Sequence, residues 1–536
     1  MSAGADGPHP AIRLGVAALV VVFMGLAASA MLRTSPTFDE IIFPAAGARG
    51  YATGDFGMIR DHTPIMQYVY GLPLRAMNLQ YPAEEGRRWD HLGRYVYARI
   101  LLWQSGNEAG KIVAAARMVA VLLGALLVLA TFLLAREALG EGAALLAAAL
   151  VAFVPDVLAH SGVTYNDVPS ALALLGAAYA ADRALRTLTP GAALLAGLAA
   201  GIAIGVKTSA LAILPIAGTL AVLEGMGHWR DAAWRRAFAR AVIIFALALY
   251  ITLALAYLGD FRLAGLREVL RFNFQLNDGG HPAMILGTAN TAGFWYFFPV
   301  AFFLKTPAAF HALGLVALVG AWLGLRGTRA STLAKHPLRV PVVAAGILAA
   351  GLVASRINLG FRHALPLLPF LCILVAAGAA RAWRSGRAAA RAVIALLVAA
   401  DIASAVSAYP WFLSYLSEYA SGRPTYEVLV DSNTDWGQGL LALRDYLRER
   451  GIRRVSLAYF GSALPEGYGI DYVPLPSFFR LPERAPVAGA APPRDVAISA
   501  TLMGAPYVEG DPYAAYRDRE PAAVIARSIY LYELPH

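Results

Sequence analysis

Two adjacent carboxylates, Asp39 and Glu40, follow closely on the first apolar run of the chain, with Asp55, Asp61 and His62 soon after them. A carboxylate held at a membrane boundary can take a proton from a hydroxyl when its surroundings set its pKa for the task. A further acid, Asp167, stands in Thr164-Tyr165-Asn166-Asp167-Val168-Pro169, where it equally suits capping of the helix that Pro169 would open. Cations recur beside other apolar runs. Lys207 follows a Gly-rich stretch, Lys305 interrupts the aromatic segment 295–307, and Arg356, Arg362 and His363 crowd one turn. Such groups either snorkel to the interface or face an anion. The chemistry these types could perform together is proton abstraction beside cations that stabilise a negative leaving group. The sequence has no Gly-rich strand-to-helix phosphate loop, which argues against a nucleotide site.

The elements that must position these residues are membrane helices. The 536 residues are 58% hydrophobic and only 15% charged, with a mean hydropathy of +0.56, far more apolar than a soluble protein. The net charge of +10 falls mostly in short loops between apolar runs, a mark of topology and not of nucleic-acid recognition. The single cysteine, Cys372, lies in an apolar run, so neither an intrachain disulfide nor a Cys-based metal site is available.

Apolar runs near 11–32, 112–134, 142–160, 168–181, 190–206, 208–223, 240–258, 306–325, 340–354, 364–380 and 392–409 give about eleven expected spans. Ala28-Ser29-Ala30 resembles a signal cleavage site, but the length of the first run suits a retained span. Arg136, then Arg183 and Arg186, the group from Arg230 to Arg240, the group from Arg326 to Arg339, and the group from Arg381 to Arg391 occupy alternate loops. The positive-inside bias puts those loops and the N-terminus in the cytoplasm. The Asp39 loop, the Asp167 turn, the loop 259–300, the turn 355–363 and the C-terminal tail are then outside. The first outer loop, 37–110, is expected to lie on the membrane through amphipathic helices, anchored by Arg94, Tyr95, Tyr97 and Trp103. Gly197, Gly201 and Gly205 fall on one helix face as a close-packing seam.

After Tyr409 the composition turns polar. Strands are expected at 426–431, 455–460, 496–502 and 523–532, a helix at 439–450 with Leu440, Leu443 and Leu447 on one face, and an irregular Pro-rich loop over 468–493. The expected fold is mainly α: a polytopic helical bundle over 1–409 with a small extracytoplasmic α/β domain over 410–536. Asp431 to Gln438 reads either as caps and turn formers or as an acceptor contact.

Phe38-Asp39-Glu40, Gly54-Asp55-Phe56, His62-Thr63-Pro64, Asn166-Asp167-Val168-Pro169, Lys207-Thr208, Trp295-Tyr296-Phe297-Phe298-Pro299 with Lys305-Thr306-Pro307, and Asn358-Leu359-Gly360-Phe361-Arg362-His363 occur in this order. With the tail segment Asp431-Ser432-Asn433-Thr434-Asp435-Trp436-Gly437-Gln438, this set resembles the GT-C superfamily of polyprenyl-phosphate-sugar-dependent glycosyltransferases. That superfamily includes protein O-mannosyltransferases and the lipid A aminoarabinose transferase. Thr63 is a departure, since the family often has a second Pro after the His.

The resemblance implies inverting transfer of a sugar from a polyprenyl-phosphate donor to a hydroxyl of a protein, lipid or glycan, at the outer face of a bacterial cytoplasmic membrane. Asp39 would be the base, with Glu40 positioning substrate or tuning it, and Asp167 a second acid of the cavity. Lys207, Arg356 and Arg362 are implied for the lipid phosphate, and Lys305 and His363 complete that candidate set. Asp55 and His62 belong to the acceptor loop. An acidic phosphate leaving group needs no general acid, only cations. No cofactor is expected; the alternative is a divalent metal on Asp39, Asp167 and His62. Membrane lipids are expected partners and nucleic acid is not. A transporter or flippase of lipid-linked sugars is the alternative function, but it should show repeated halves, and no internal repeat is visible.

Overall fold

The computed structural model describes residues 9–83, 89–325, 335–479, 493–504 and 507–535. Arg326 and Arg329, used for orientation, and 480–492 of the Pro-rich stretch lie outside the described residues. The chain begins with α1 (Pro10–Met31) and continues through α2 (Ile42–Thr53), α3 (Ile65–Gly71) and α4 (His91–Arg99) in the loop 37–110. There follow α5 (Ala109–Leu139), α6 (Glu141–Ala152), α7 (Pro155–His160), α8 (Asp167–Thr187), α9 (Pro190–Val206), α10 (Ile213–Gly225), α11 (Ala232–Ala256), α12 (Ala264–Gly279), α13 (Phe297–Lys305) and α14 (Ala308–Leu325). The helices Arg339–Ala354, Leu368–Trp383 and Ala388–Ser407 complete the bundle.

Every apolar run carries helix, but fewer than eleven meet the length and composition of a full span. Among the described residues six do: α1, α5, Thr208–Gly225, α11, Phe361–Trp383 and Ala388–Ser407. A seventh arises if α13 and α14, bent by 113° at their junction, count as one broken span. The run 142–160 divides where Pro155 opens α7, because Pro has no N–H to continue a preceding helix but fits a first turn. The glycine seam joins α9 to α11. A Cβ on Gly197 would fall 2.4 Å from the Phe245 carbonyl oxygen, and one on Gly201 would fall 2.6 Å from Thr252 Cβ. Only a bare backbone permits that approach.

The aromatics of the loop 37–110 turn inward. Tyr95 and Tyr97 are buried, Arg94 pairs with Asp61, and Trp103 packs on Tyr468 and the Gly467 backbone. They are not lipid-facing anchors, because Tyr95 and Trp103 pack on Phe479 and Tyr468 of the C-terminal domain while Arg94 and Tyr97 are held within the loop by Asp61 and Trp89.

That domain is built on a five-stranded sheet. A hairpin of β1 (Ala283–Ile285) and β2 (Thr288–Asn290) precedes it in the chain. The sheet comprises β3 (Val455–Ala458), β4 (Tyr472–Pro474), β5 (Asp495–Ser499), β6 (Ala523–Ile525) and β7 (Ile529–Glu533), in the order β4-β3-β5-β7-β6. β3 runs parallel to β4 and β5, and β7 runs antiparallel to β5 and β6. The helix Leu440–Glu449 buries Leu440, Leu443 and Leu447 as its 3.6-residue period requires.

Three strand expectations change. Residues 426–431 form a helical turn and then a 3₁₀ turn at Asp431–Asn433, with Asp431 at φ 58°, a left-handed conformation no strand tolerates. The run 523–532 is a hairpin, because Ala526 and Arg527 both take positive φ, as a two-residue turn between twisted strands demands. β5 ends at Ser499, and Ala500–Gly504 is helical.

Candidate active site

Asp39 and Glu40 leave the backbone into different surroundings. Glu40 points into the protein, where Arg117 of α5 donates to both carboxylate oxygens, at 2.6 and 2.8 Å. The backbone N–H groups of Thr37 and Thr164 donate to the same oxygens, and Arg117 also donates to the carbonyls of Met31, Thr34 and Ser35. This clamp fixes the end of α1, the start of the loop 37–110 and the turn before α8 to one another. Arg117 was missed in the sequence. Its signal was a lone arginine inside an apolar run, which must find an acidic partner.

Asp39 instead accepts a 2.6 Å hydrogen bond from the Tyr95 hydroxyl, and its other oxygen lies 3.9 Å from the Arg362 guanidinium. Its side chain is 22% exposed, whereas those of Glu40 and Asp167 are each 1% exposed. Asp167, at the first turn of α8, accepts from Lys207 and lies 3.4 Å from Arg362. Arg362 is held by more than charge: its Nε donates to Ser432 Oγ at 3.0 Å, and its plane lies over the rings of Tyr165 and Trp436 at 4.8 and 4.5 Å. Stacking of this kind is specific to the planar guanidinium. His363 stands within electrostatic range of Lys207, Arg362 and Asp167, and its Nε2 has no hydrogen-bond partner.

His62 closes one side of the cleft. Its ring stacks on Phe43, Nδ1 lies 3.1 Å from the Asp61 carbonyl, and Nε2 lies 2.9 Å from the Tyr165 hydroxyl. With Nδ1–H donating to the carbonyl, Nε2 accepts from Tyr165. Burial lowers the His62 pKa below its ordinary value against the opposing pull of Asp61. Burial works to raise the Asp61 pKa, but His62 and the Arg94 guanidinium outweigh it and hold the carboxyl well below the usual range.

The cleft therefore gathers Asp39, Asp167, Lys207, Arg362, His363 and His62. Four other candidates stand apart from it. Glu40 is consumed by Arg117. Lys305 is fully buried, and its ammonium donates to the carbonyls of Leu413, Tyr415 and Asn433 while pairing with Asp156 at 3.4 Å. A lysine with three carbonyls and a carboxylate has no donor left for a phosphate. Arg356 is exposed, and its backbone N–H is bonded to Asn277. Asp55 pairs with Arg49 and accepts from the Gly57 N–H. Nor do Asp39, Asp167 and His62 suit a metal. Asp167 is committed to two cations and His62 Nε2 to Tyr165, and among the described residues no group of three or more His, Cys, Asp or Glu is placed to hold an ion.

The 431–438 segment is the unexpected wall. Trp436 lies beneath Arg362, and Asn433 Oδ1 accepts from the Phe361 N–H at 2.8 Å. A Cβ at Gly360 would strike Ser432 Oγ at 2.2 Å. Burial pushes the Asp435 carboxyl up to about 7, although Thr501 N–H donates to it at 3.0 Å. Tyr165 and Trp436 had no signal in the sequence beyond lying in or beside recognised motifs, and Tyr95 was read there as an interfacial anchor.

Fold and cleft together define a class: an integral membrane protein of mainly helical build whose C-terminal α/β domain closes one side of a cleft lined by acids and cations. Residues 107–255, about a quarter of the chain, match the family model described as dolichyl-phosphate-mannose-protein mannosyltransferase. This match bears out the resemblance to GT-C glycosyltransferases, and it spans Arg117, Asp167 and Lys207. Among curated proteins no match was found. Similar solved structures include ArnT from Cupriavidus metallidurans in the apo state, at 14% identity and TM-score 0.49, over 96% of this chain and 98% of that one. The same protein bound to undecaprenyl phosphate gives 14% and 0.46, over 96% and 97%. The apo oligosaccharyltransferase of Archaeoglobus fulgidus gives 13% and 0.48, over 75% and 56%.

Proposed function

We propose that the protein is an inverting glycosyltransferase that moves a sugar from a polyprenyl-phosphate donor to an acceptor hydroxyl at the outer face of a bacterial cytoplasmic membrane. Of the three candidate acids Asp39, Glu40 and Asp167, the observation that carries the reading is that only Asp39 is accessible: 22% exposed, against 1% for Glu40 and for Asp167. A base must reach the proton it takes, so the role falls to Asp39. Tyr95 orients the carboxylate by its hydrogen bond. The acceptor oxygen attacks the anomeric carbon as its proton passes to Asp39, and the bond to the phosphate oxygen breaks with its electron pair left on the phosphate. Arg362 and Lys207 supply positive charge for that leaving group, held in place beforehand by Asp167 and by the Trp436 and Tyr165 rings. The reading invokes no cofactor.

The test is transfer of radiolabelled sugar from a polyprenyl-phosphate donor by the purified full chain. Wild type should transfer label and Asp39→Asn should not, while both run as the same monodisperse species on size exclusion. Near wild-type transfer by Asp39→Asn would sink the assignment.

A further inference from the structure

A second cavity, of about 240 Å3, adjoins the Asp39 cleft and shares His62 with it. One wall is the loop 37–110, with Phe56, Arg60, Gln67 and Tyr68; the other is the junction of α11 and α12, with Tyr257 and Glu268. The wall is fixed: the Tyr68 hydroxyl donates to the Ala256 carbonyl at 2.8 Å, and Phe56 meets the Tyr68 ring edge-on at 4.7 Å. Yet two polar groups lining it are unsatisfied. Gln67 is 2% exposed and its Oε1 has no hydrogen-bond partner, and neither has the Tyr257 hydroxyl. The Glu268 carboxylate, also lining the cavity, is solvent-exposed and open to a ligand. A buried amide oxygen left without a donor costs about 1–3 kcal/mol, so each such group calls for an explanation.

The donor and acceptor pattern selects the ligand. An amide oxygen, a phenol and a carboxylate ask for hydroxyl donors, while aromatic rings offer flat surfaces to C–H groups. A phosphate is disfavoured, because the carboxylates of Asp55 and Glu268 line the cavity against one arginine, Arg60. A lipid tail would leave the polar groups unpaired. At ~30 Å3 per water the space holds about eight waters, room for a single sugar ring. We propose that this cavity seats one neutral sugar ring of a substrate, its hydroxyls donating to Gln67 Oε1 and Glu268 and pairing with the Tyr257 hydroxyl. The proposal rests on the glycosyl-transfer reading for its relevance, and the ring has two sources: the sugar being transferred, or a sugar of the acceptor.

Two measurements on the full chain in lipid nanodiscs test it. The first is saturation-transfer NMR with the methyl glycosides of mannose, glucose, N-acetylglucosamine and arabinose. At least one should receive saturation from wild type and from Asp39→Asn, and at least fivefold less from the Glu268→Gln, Tyr257→Phe double variant, whose two changes keep side-chain size. No transfer to any glycoside, or transfer unchanged in the double variant, overturns the proposal. The second is steady-state transfer. A roughly tenfold rise in KM for the donor alone assigns the ring to the donor, the same rise for the acceptor alone assigns it to the acceptor, and unmoved values for both overturn it. If wild type transfers no label but still shows saturation transfer that the double variant loses, the glycosyl-transfer reading fails and the cavity assignment stands.

Discussion

Asp39 and Glu40 are neighbours in the chain and opposites in the fold. Glu40 accepts from both sides of a guanidinium and from two backbone N–H groups, in a place water does not reach. Asp39 has one hydrogen bond from a tyrosine, one distant cation and an open face. A carboxylate whose lone pairs are all used holds structure together; one with lone pairs to spare can take up a proton. The two clusters are built of the same residue types, so saturation and access separate their duties where charge does not.

The contrast can be broken by experiment. Its largest expected effect is on turnover: Asp39→Asn should lower transfer by about 10²–10⁴-fold, the range of a lost general base, with an unchanged melting temperature in detergent. Glu40→Gln should do the reverse. It strands Arg117 in the interior, at a cost of about 3–5 kcal/mol, read as a lower melting temperature and folded yield. If Glu40→Gln melts normally and is inactive, the assignment of duties is wrong.

Arg362→Lys keeps the charge but loses stacking on Trp436 and the planar fork. A drop in turnover of about tenfold, or ~1.4 kcal/mol of transition-state stabilisation, would sharpen the view that geometry matters as well as charge. Asp435 gives a pH test. Its carboxyl is pushed up from 3.8 to about 7, so between those values the folded chain keeps a proton that the unfolded chain releases. Stability should therefore fall as pH rises through that window and level off above it, by on the order of a few kcal/mol. Asp435→Asn should flatten that slope in a series of thermal melts; an unaltered slope places the titration elsewhere. The smallest effect belongs to Asp55→Ala: its pair with Arg49 is exposed on the carboxylate side, so a stability change within about 1 kcal/mol is expected.

The helical bundle was legible because a bilayer admits little else, and each apolar run did become helix. The number of spans was not, since apolarity does not show where Pro155 divides a run or where Lys305 and Thr306 bend one. In the tail, the helix carrying Leu440, Leu443 and Leu447 was legible from its period. The segment 426–431 was not, because its β-branched and aromatic residues suit a strand while Asp431 takes a positive φ that only tertiary contacts impose. At the cleft, motif order pointed to Asp39, Asp167, Lys207 and Arg362. Lys305 and Arg356 looked equivalent to these, as a sequence lists cations without saying which carbonyls or which solvent they meet. The cleft roles of Tyr95 and Trp436 stayed hidden because contacts between residues 56 apart, or across 74 positions to Arg362, leave no local pattern.

The carbonyl cage around Lys305 has a consequence for how divisible the chain is. All three carbonyls come from beyond the last bundle helix, at Leu413, Tyr415 and Asn433, and Ser432 and Trp436 likewise hold Arg362. A polypeptide ending at Tyr409 would contain every membrane helix of the described residues and still be left with an ammonium stripped of its three carbonyls and a loosened guanidinium in its interior. The tail is thus no detachable accessory: the two parts must be inherited, expressed and folded as one.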